Sequence, residues 1–135
     1  MLKNLSTKEV EEILDRDETI ISLLDQAEPM IGIVDEAGNI IRINKRFAEV
    51  LEYSKEELIG TKYFNYIIDE DMANTIRVWT DLNKKSCRST GLNGFTNRYR
   101  TKSGKIVKLE WHANTESIKG LAISFALFRG YGKED

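Results

Sequence analysis

The sequence predicts an α+β domain: a leading amphipathic helix, a β-hairpin, several short helices and a longer one, then three strands. Three observations carry that expectation. The stretch "IGIVDEAGNIIRINKRFAEVL" at residues 31–51 passes from a strand-turn-strand pattern straight into helical spacing. Capping and turn residues stand at each change of period. Alternation of apolar and polar residues then dominates the last third, in "GFTNRYRTKSGKIVKLEWHANTES".

The leader comes first. Ser6 or Thr7 can cap a helix, with Glu9 at capping-box spacing from Ser6, and Pro29 disfavours helix at Glu28. Val10, Ile13, Leu14, Ile20, Ile21, Leu23 and Leu24 form an apolar seam near heptad spacing, interrupted by Asp17. Two uses stay open: packing on its own domain, or pairing with a second copy through Val10, Ile13, Leu14, Ile20, Ile21 and Leu24. In the hairpin, residues 35–39 supply turn chemistry and Gly38 takes the positive φ of a tight reversal. Asn44 is placed to end the second strand and cap the next helix through its side-chain oxygen. "YSKEELIG" repeats the device, with Ser54 as cap, Glu57 at capping-box spacing and Gly60 as the stop. "DEDMANTIRVWTDLNKK" is a helix with acids first and lysines last, matching its dipole, and Ile76, Trp79 and Leu82 with Met72 as its apolar stripe. The last third holds two strands joined at Lys102-Ser103-Gly104 and a final strand, "GLAISFALF".

Composition narrows the function classes. With 135 residues and 41% hydrophobic content the chain can bury a core without disulfides or metal. No apolar run approaches the ~18 residues of a membrane span, and the acidic N-terminus is unlike a signal peptide. The single cysteine, Cys87, fits a reducing cytoplasm, and with the single histidine it argues against a structural zinc site. The first 28 residues carry three basic and eight acidic side chains, leaving the rest mildly basic against a total of −2. Without a concentrated basic stripe, no nucleic-acid partner is expected. No Ser-His-Asp or Cys-His arrangement is evident, and "STGLNGF" lacks the lysine of a phosphate loop, so no enzyme is expected. The acidic run Asp69-Glu70-Asp71 is explained by its place at a helix start.

These residues resemble the PAS sensory domain over about residues 20–128. The resemblance rests on Asp35, Gly38, Ile40, Asn44 and Phe47 in a D-x-x-G-x-I-x-x-x-N-x-x-F run, and on the Y-S-x-E-E-L-x-G run from Tyr53. The R-Y-R-T-K-x-G run from Arg98, followed by Glu110-Trp111, adds to it. It implies a five-stranded antiparallel sheet of order 2-1-5-4-3, with helices on one face enclosing a pocket. It divides the chain into a leader at 1–28 that commonly mediates dimers, a PAS domain at 29–130 and a tail at 131–135. Such domains bind a small ligand or cofactor and relay the signal through dimer and flanking-helix rearrangement, or serve as ligand-free interaction modules. The tail "LFRGYGKED" lacks the D-I-T-type triad that usually leads to an output helix. The output, such as a histidine kinase or diguanylate cyclase in the same protein or a separate partner, is therefore not readable.

The resemblance also tests cofactors. Light-oxygen-voltage members carry a flavin-reactive cysteine where "GTKYFNYI" has Tyr63, so covalent flavin-cysteine photochemistry is excluded. The p-coumarate-type photoreceptors need a cysteine near residues 67–69, and none is there. Haem-binding members often use a histidine on the long helix, which has none. His112 lies on a strand, on its more polar face, and haem is not expected. Trp79 resembles a tryptophan of flavin-binding redox sensors, which keeps a non-covalent flavin among the candidates, although core packing explains it as well. Candidate pocket residues are Thr75, Trp79, Asn97, Tyr99, Ile123 and Phe125. Alternation tells which residues share a strand face, not which face is inside.

Overall fold

The computed structural model describes residues 6, 8, 9, 12, 18–82, 92–113 and 121–132. Helix α1 (Glu18–Gln26) leads into β1 (Met30–Asp35) and β2 (Ile40–Ile43). Helices α2 (Lys45–Leu51) and α3 (Lys55–Leu58), a 3₁₀ turn (Tyr63–Tyr66) and α4 (Asp69–Leu82) follow. The chain ends in β3 (Leu92–Arg100), β4 (Ile106–Ala113) and β5 (Leu121–Tyr131). The five strands form one antiparallel sheet in the order β2-β1-β5-β4-β3.

Turn and cap chemistry set the element ends. Asp35 Oδ1 accepts from the amides of Ala37 and Asn39 at 3.0 and 2.9 Å, closing the hairpin turn. Gly38 there has φ +85°, and a Cβ would meet Phe64 at 2.7 Å, so both backbone and space require glycine. Ser54 and Glu57 exchange the two bonds of a capping box, and Ser6 and Glu9 do the same at 3.1 and 3.2 Å. Glu52, at the end of α2, has φ 67° and accepts from both the amide and the hydroxyl of Ser103, tying the β3–β4 turn to the helices.

Both sheet edges are met by the helical crossover. Ile40 of β2 exchanges backbone bonds with Gly60 and Thr61 at 2.8 Å, and the Ile68 amide donates to Arg98 O of β3 at 3.1 Å. Asp71 holds the β3 edge further, accepting from the Arg98 amide at 2.8 Å and from its guanidinium at 2.8 and 3.0 Å. These bonds occupy part of each edge, at Ile40 of β2 and at Arg98 of β3.

The core lies between the inner sheet face and the helices, with Leu58, Leu109, Ala126 and Tyr99 at 0–1% exposure. The inward stripe of α4 differs from the expected one. Thr75 is buried, with Met72, Val78 and Trp79 partly so, whereas Ile76 is 47% exposed. Spacing of i, i+3, i+7 from Met72 runs through Thr75 and Trp79; Ile76 lies about 100° round the helix from Thr75.

Helix α1 is anchored rather than free. Asn44 Nδ2 donates to Leu24 O and Pro29 O at 2.8 and 3.0 Å, and Asp25 accepts from the Lys45 amide and pairs with Lys55 at 2.9 Å. Leu24 lines a groove with Ile31, Ile33 and Ile43 and so faces its own domain, while Leu23 is 62% exposed. Val10, Ile13, Leu14 and Cys87 lie outside the described residues, as do the side chains of Ile20 and Ile21. No helix among the described residues is long and apolar enough to cross a membrane.

Candidate functional site

The sheet turns small and aromatic residues toward the helices, leaving a cavity of about 60 Å³ between them. Its floor comes from Gly32 and Val34 of β1, Ala122 and Ser124 of β5, Trp111 of β4, and Phe95, Asn97 and Tyr99 of β3. Phe47 of α2, Tyr63 of the 3₁₀ turn, and Thr75, Val78 and Trp79 of α4 form its roof. Gly32 matters through its missing side chain, because a Cβ there would stand 3.1 Å from the Phe47 ring.

One polar network crosses this apolar interior. The Trp111 indole N–H donates to Asn97 Oδ1 at 2.9 Å, and Asn97 Nδ2 donates to Thr75 Oγ1 at 3.2 Å. The Thr75 hydroxyl in turn donates to Asp71 O at 2.8 Å, so the chain runs from the middle of the sheet to α4. The Tyr99 hydroxyl accepts a long contact from Asn97 at 3.5 Å. Burial pushes the ionisation of Tyr99 and Tyr63 well above the ordinary tyrosine value, so both phenols stay neutral. Trp111 also packs at 5.9 Å against both Phe47 and Tyr99.

At one end the cavity is closed by aromatic rings. Tyr63 stacks on Phe64 at 4.2 Å and meets the Trp79 ring edge-on at 5.5 Å. The Trp79 indole donates to Glu36 O at 3.2 Å, pinning the hairpin turn over the site.

Of the six residues expected from sequence, Thr75, Trp79, Asn97 and Tyr99 come together around the cavity. Ile123 and Phe125 do not. They lie on the opposite sheet face, 39% and 41% exposed, and Ala122 and Ser124 take the inward positions. The bulky pair misled because β5 is apolar on both faces, and the helix side chains leave room only for small residues on the inner one. Phe47, Tyr63, Val78 and Trp111 were missed. Two had signals: Trp111 alternates in phase with Leu109, and Tyr63 holds the place that the resemblance gives to a flavin-reactive cysteine.

The site fits neither flavin nor haem. A cavity of about 150 Å³ holds one benzene ring, so 60 Å³ is far too small for a fused tricycle or a porphyrin. Trp79 is already occupied by Glu36, Tyr63 and Phe64. His112 lies on the outer face, stacked on Phe125 at 4.8 Å and bonded to Glu110 at 2.9 Å, away from the cavity. Among the described residues, no three His, Cys, Asp or Glu side chains converge as a metal site would require.

A family profile described as the PAS fold matches residues 18–117. Among solved structures, the PAS domain of an HTR-like protein from Haloarcula marismortui superposes with a TM-score of 0.66 at 19% identity, covering 90% of this chain and 95% of that one. The PAS domain of the Cronobacter turicensis quorum-sensing receptor RpfR, in complex with BDSF, gives 0.64 at 18% identity, over 78% and 97% of the two chains. PAS-B of Drosophila melanogaster Cycle with bound ethylene glycol gives 0.62 at 18% identity, over 73% and 98%. No curated protein matches the chain.

Proposed function

The chain belongs to the PAS family, and from that premise we propose that it is a signal-sensing domain binding a small ligand in the cavity between sheet and helices. PAS domains are commonly sensory or interaction modules of signalling proteins, and ligand-bound neighbours exist, one with BDSF and one with ethylene glycol. The observation that carries the reading is the Trp111–Asn97–Thr75 network beside a cavity, which links the sheet to α4 across the site. Among the described residues the cavity lining carries no histidine, carboxylate or lysine, which supports a binding role. The single cysteine supports a cytoplasmic setting.

The relay follows from the connections of α2. Phe47 lines the cavity, and three residues earlier Asn44 holds both the α2 N-terminus and the end of α1. An occupant that displaces Phe47 tilts α2, and α1 moves with it, shifting a pre-existing equilibrium of the leader. The signal then passes to an output domain or partner. A homodimer through the leader and the outer face of β5 accords with exposed Leu23, Ile123 and Phe125. Light scattering tests it: Leu23→Asp with Phe125→Glu should yield monomer, and a surviving dimer places the interface elsewhere.

The rival reading is a ligand-free interaction module, favoured by how far the aromatic side chains already fill the pocket. Native mass spectrometry and an absorption spectrum of the freshly purified chain separate the two. Extra mass without a visible band supports a colourless metabolite. Bare mass, together with no change in α1 hydrogen exchange across a metabolite set, supports the interaction module.

A further inference from the structure

We propose that the cavity between sheet and helices takes a short hydrocarbon of about two to four carbon atoms, and selects it over polar molecules of the same size. The proposal rests on the sensing reading above and adds the chemical class of the ligand. Size, wall chemistry and the state of the buried polar groups carry it.

A cavity of about 150 Å³ admits benzene, so one of about 60 Å³ admits roughly half as many carbons. Its wall is almost wholly apolar, made by Val34, Ile40, Phe47, Val78 and Ala122 together with the faces of the aromatic rings. Among the described residues no Lys, Arg, His, Asp or Glu side chain lines it, so a charged ligand would be desolvated without a partner.

The few polar groups of the wall already serve the fold. Among the described residues, no buried side-chain nitrogen or oxygen lacks a hydrogen-bond partner. Asn97 accepts from Trp111 and donates to Thr75, Thr75 donates to Asp71 O, and Ser124 donates to Gly32 O. None of these groups depends on a ligand for its partner. Lone pairs remain on their oxygens, but a hydroxyl that reached one would give up several bonds to water for it. A hydrocarbon gives up none, and gains about fourfold in affinity for each methylene removed from water. A diatomic gas would leave part of the volume without contacts, which favours the longer guest.

The test is a titration of the ¹⁵N-labelled chain with propane, ethanol and acetonitrile, each of three non-hydrogen atoms, followed by NMR. Propane should give saturable shifts at the Gly32, Val78 and Asn97 amides. It should bind at least about tenfold more tightly than ethanol or acetonitrile, the cost of one poorly compensated polar group. Ala122→Val, which adds two methyl groups at the wall, should abolish those shifts. Val78→Ala enlarges the cavity and should move the preference from propane to n-pentane. Ethanol or acetonitrile binding as tightly as propane overturns the hydrocarbon assignment while the cavity remains a ligand site, and that comparison needs no variant to fold. Propane shifts that persist in a folded Ala122→Val chain place the guest elsewhere and overturn it too. Saturation by none of the three probes also overturns it. In that case bound mass on the freshly purified chain would leave the sensing reading standing with another ligand class, and bare mass would remove both.

Discussion

The indole N–H of Trp111 donates to the side-chain oxygen of Asn97 at 2.9 Å, joining β4 to β3 inside the core. Trp111→Phe keeps most of the packing and leaves that buried oxygen unpaired, which should cost about 1–3 kcal/mol in urea unfolding. Replacing both residues, Asn97→Leu with Trp111→Phe, removes the unpaired group and should recover part of the loss. A double variant no more stable than the single one would mean that packing of the indole, and not its hydrogen bond, dominates at this position.

Why these two residues meet was only half legible in the sequence. Alternation placed Asn97 with Tyr99 and Trp111 with Leu109, and turn chemistry at Gly38 and Gly104 put the strands in antiparallel pairs. The family resemblance supplied the strand order, which no local pattern carries. Which face of β5 turns inward was not legible. Ile123 and Phe125 are more apolar than Ala122 and Ser124, yet the inner face takes the small pair, because Phe47, Tyr63 and Trp79 descend from the helices onto it. Side-chain volume contributed from across the cavity cannot be read from the strand itself.

Gly38 offers a sharper test of local geometry. Its φ of +85° and the Phe64 ring 2.7 Å from a would-be Cβ act together, whereas Gly60 has φ +89° with open space around it. Gly60→Ala should therefore cost only the backbone term, about 1 kcal/mol. Gly38→Ala should cost about 2–4 kcal/mol, since the turn or the 3₁₀ segment must shift as well. Urea midpoints of the two variants check the difference.

Acid should weaken the fold through carboxylates held below their usual range. Hydrogen bonding from the Arg98 guanidinium lowers Asp71, and the Ser103 hydroxyl leads in holding Glu52 down to about 2. A carboxylate depressed in the folded state contributes stability that is complete above its unfolded value of about 4 and is lost as pH falls through the folded one. The urea midpoint should thus hold from pH 7 to about 5 and decline from about 4.5 toward 2. Asp71→Asn should start lower at neutral pH and fall less steeply. Parallel slopes for the two proteins would show that the Asp71–Arg98 pair contributes nothing to the acid response.

Asn44 is where cavity and leader meet. It is 2% exposed and its amide makes four bonds: from the Ile31 and Phe47 amides at 2.9 and 3.2 Å, and to Leu24 O and Pro29 O at 2.8 and 3.0 Å. Asn44→Ala loses the α2 cap and strands several backbone groups, and should cost about 3 kcal/mol. Asn44→Ser separates the two duties. A serine still caps α2 but cannot reach Leu24 and Pro29 as a double donor, so the hold on α1 is released together with the bonds to Pro29 and from the Ile31 amide. Hydrogen exchange should then accelerate at the amides of residues 22–26 and at Ile31, while the other sheet amides keep their protection. If α1 exchange is unchanged in Asn44→Ser, the Asp25 contacts to Lys45 and Lys55 suffice to hold the helix. The relay from Phe47 to the leader would then have to run through that ion pair instead.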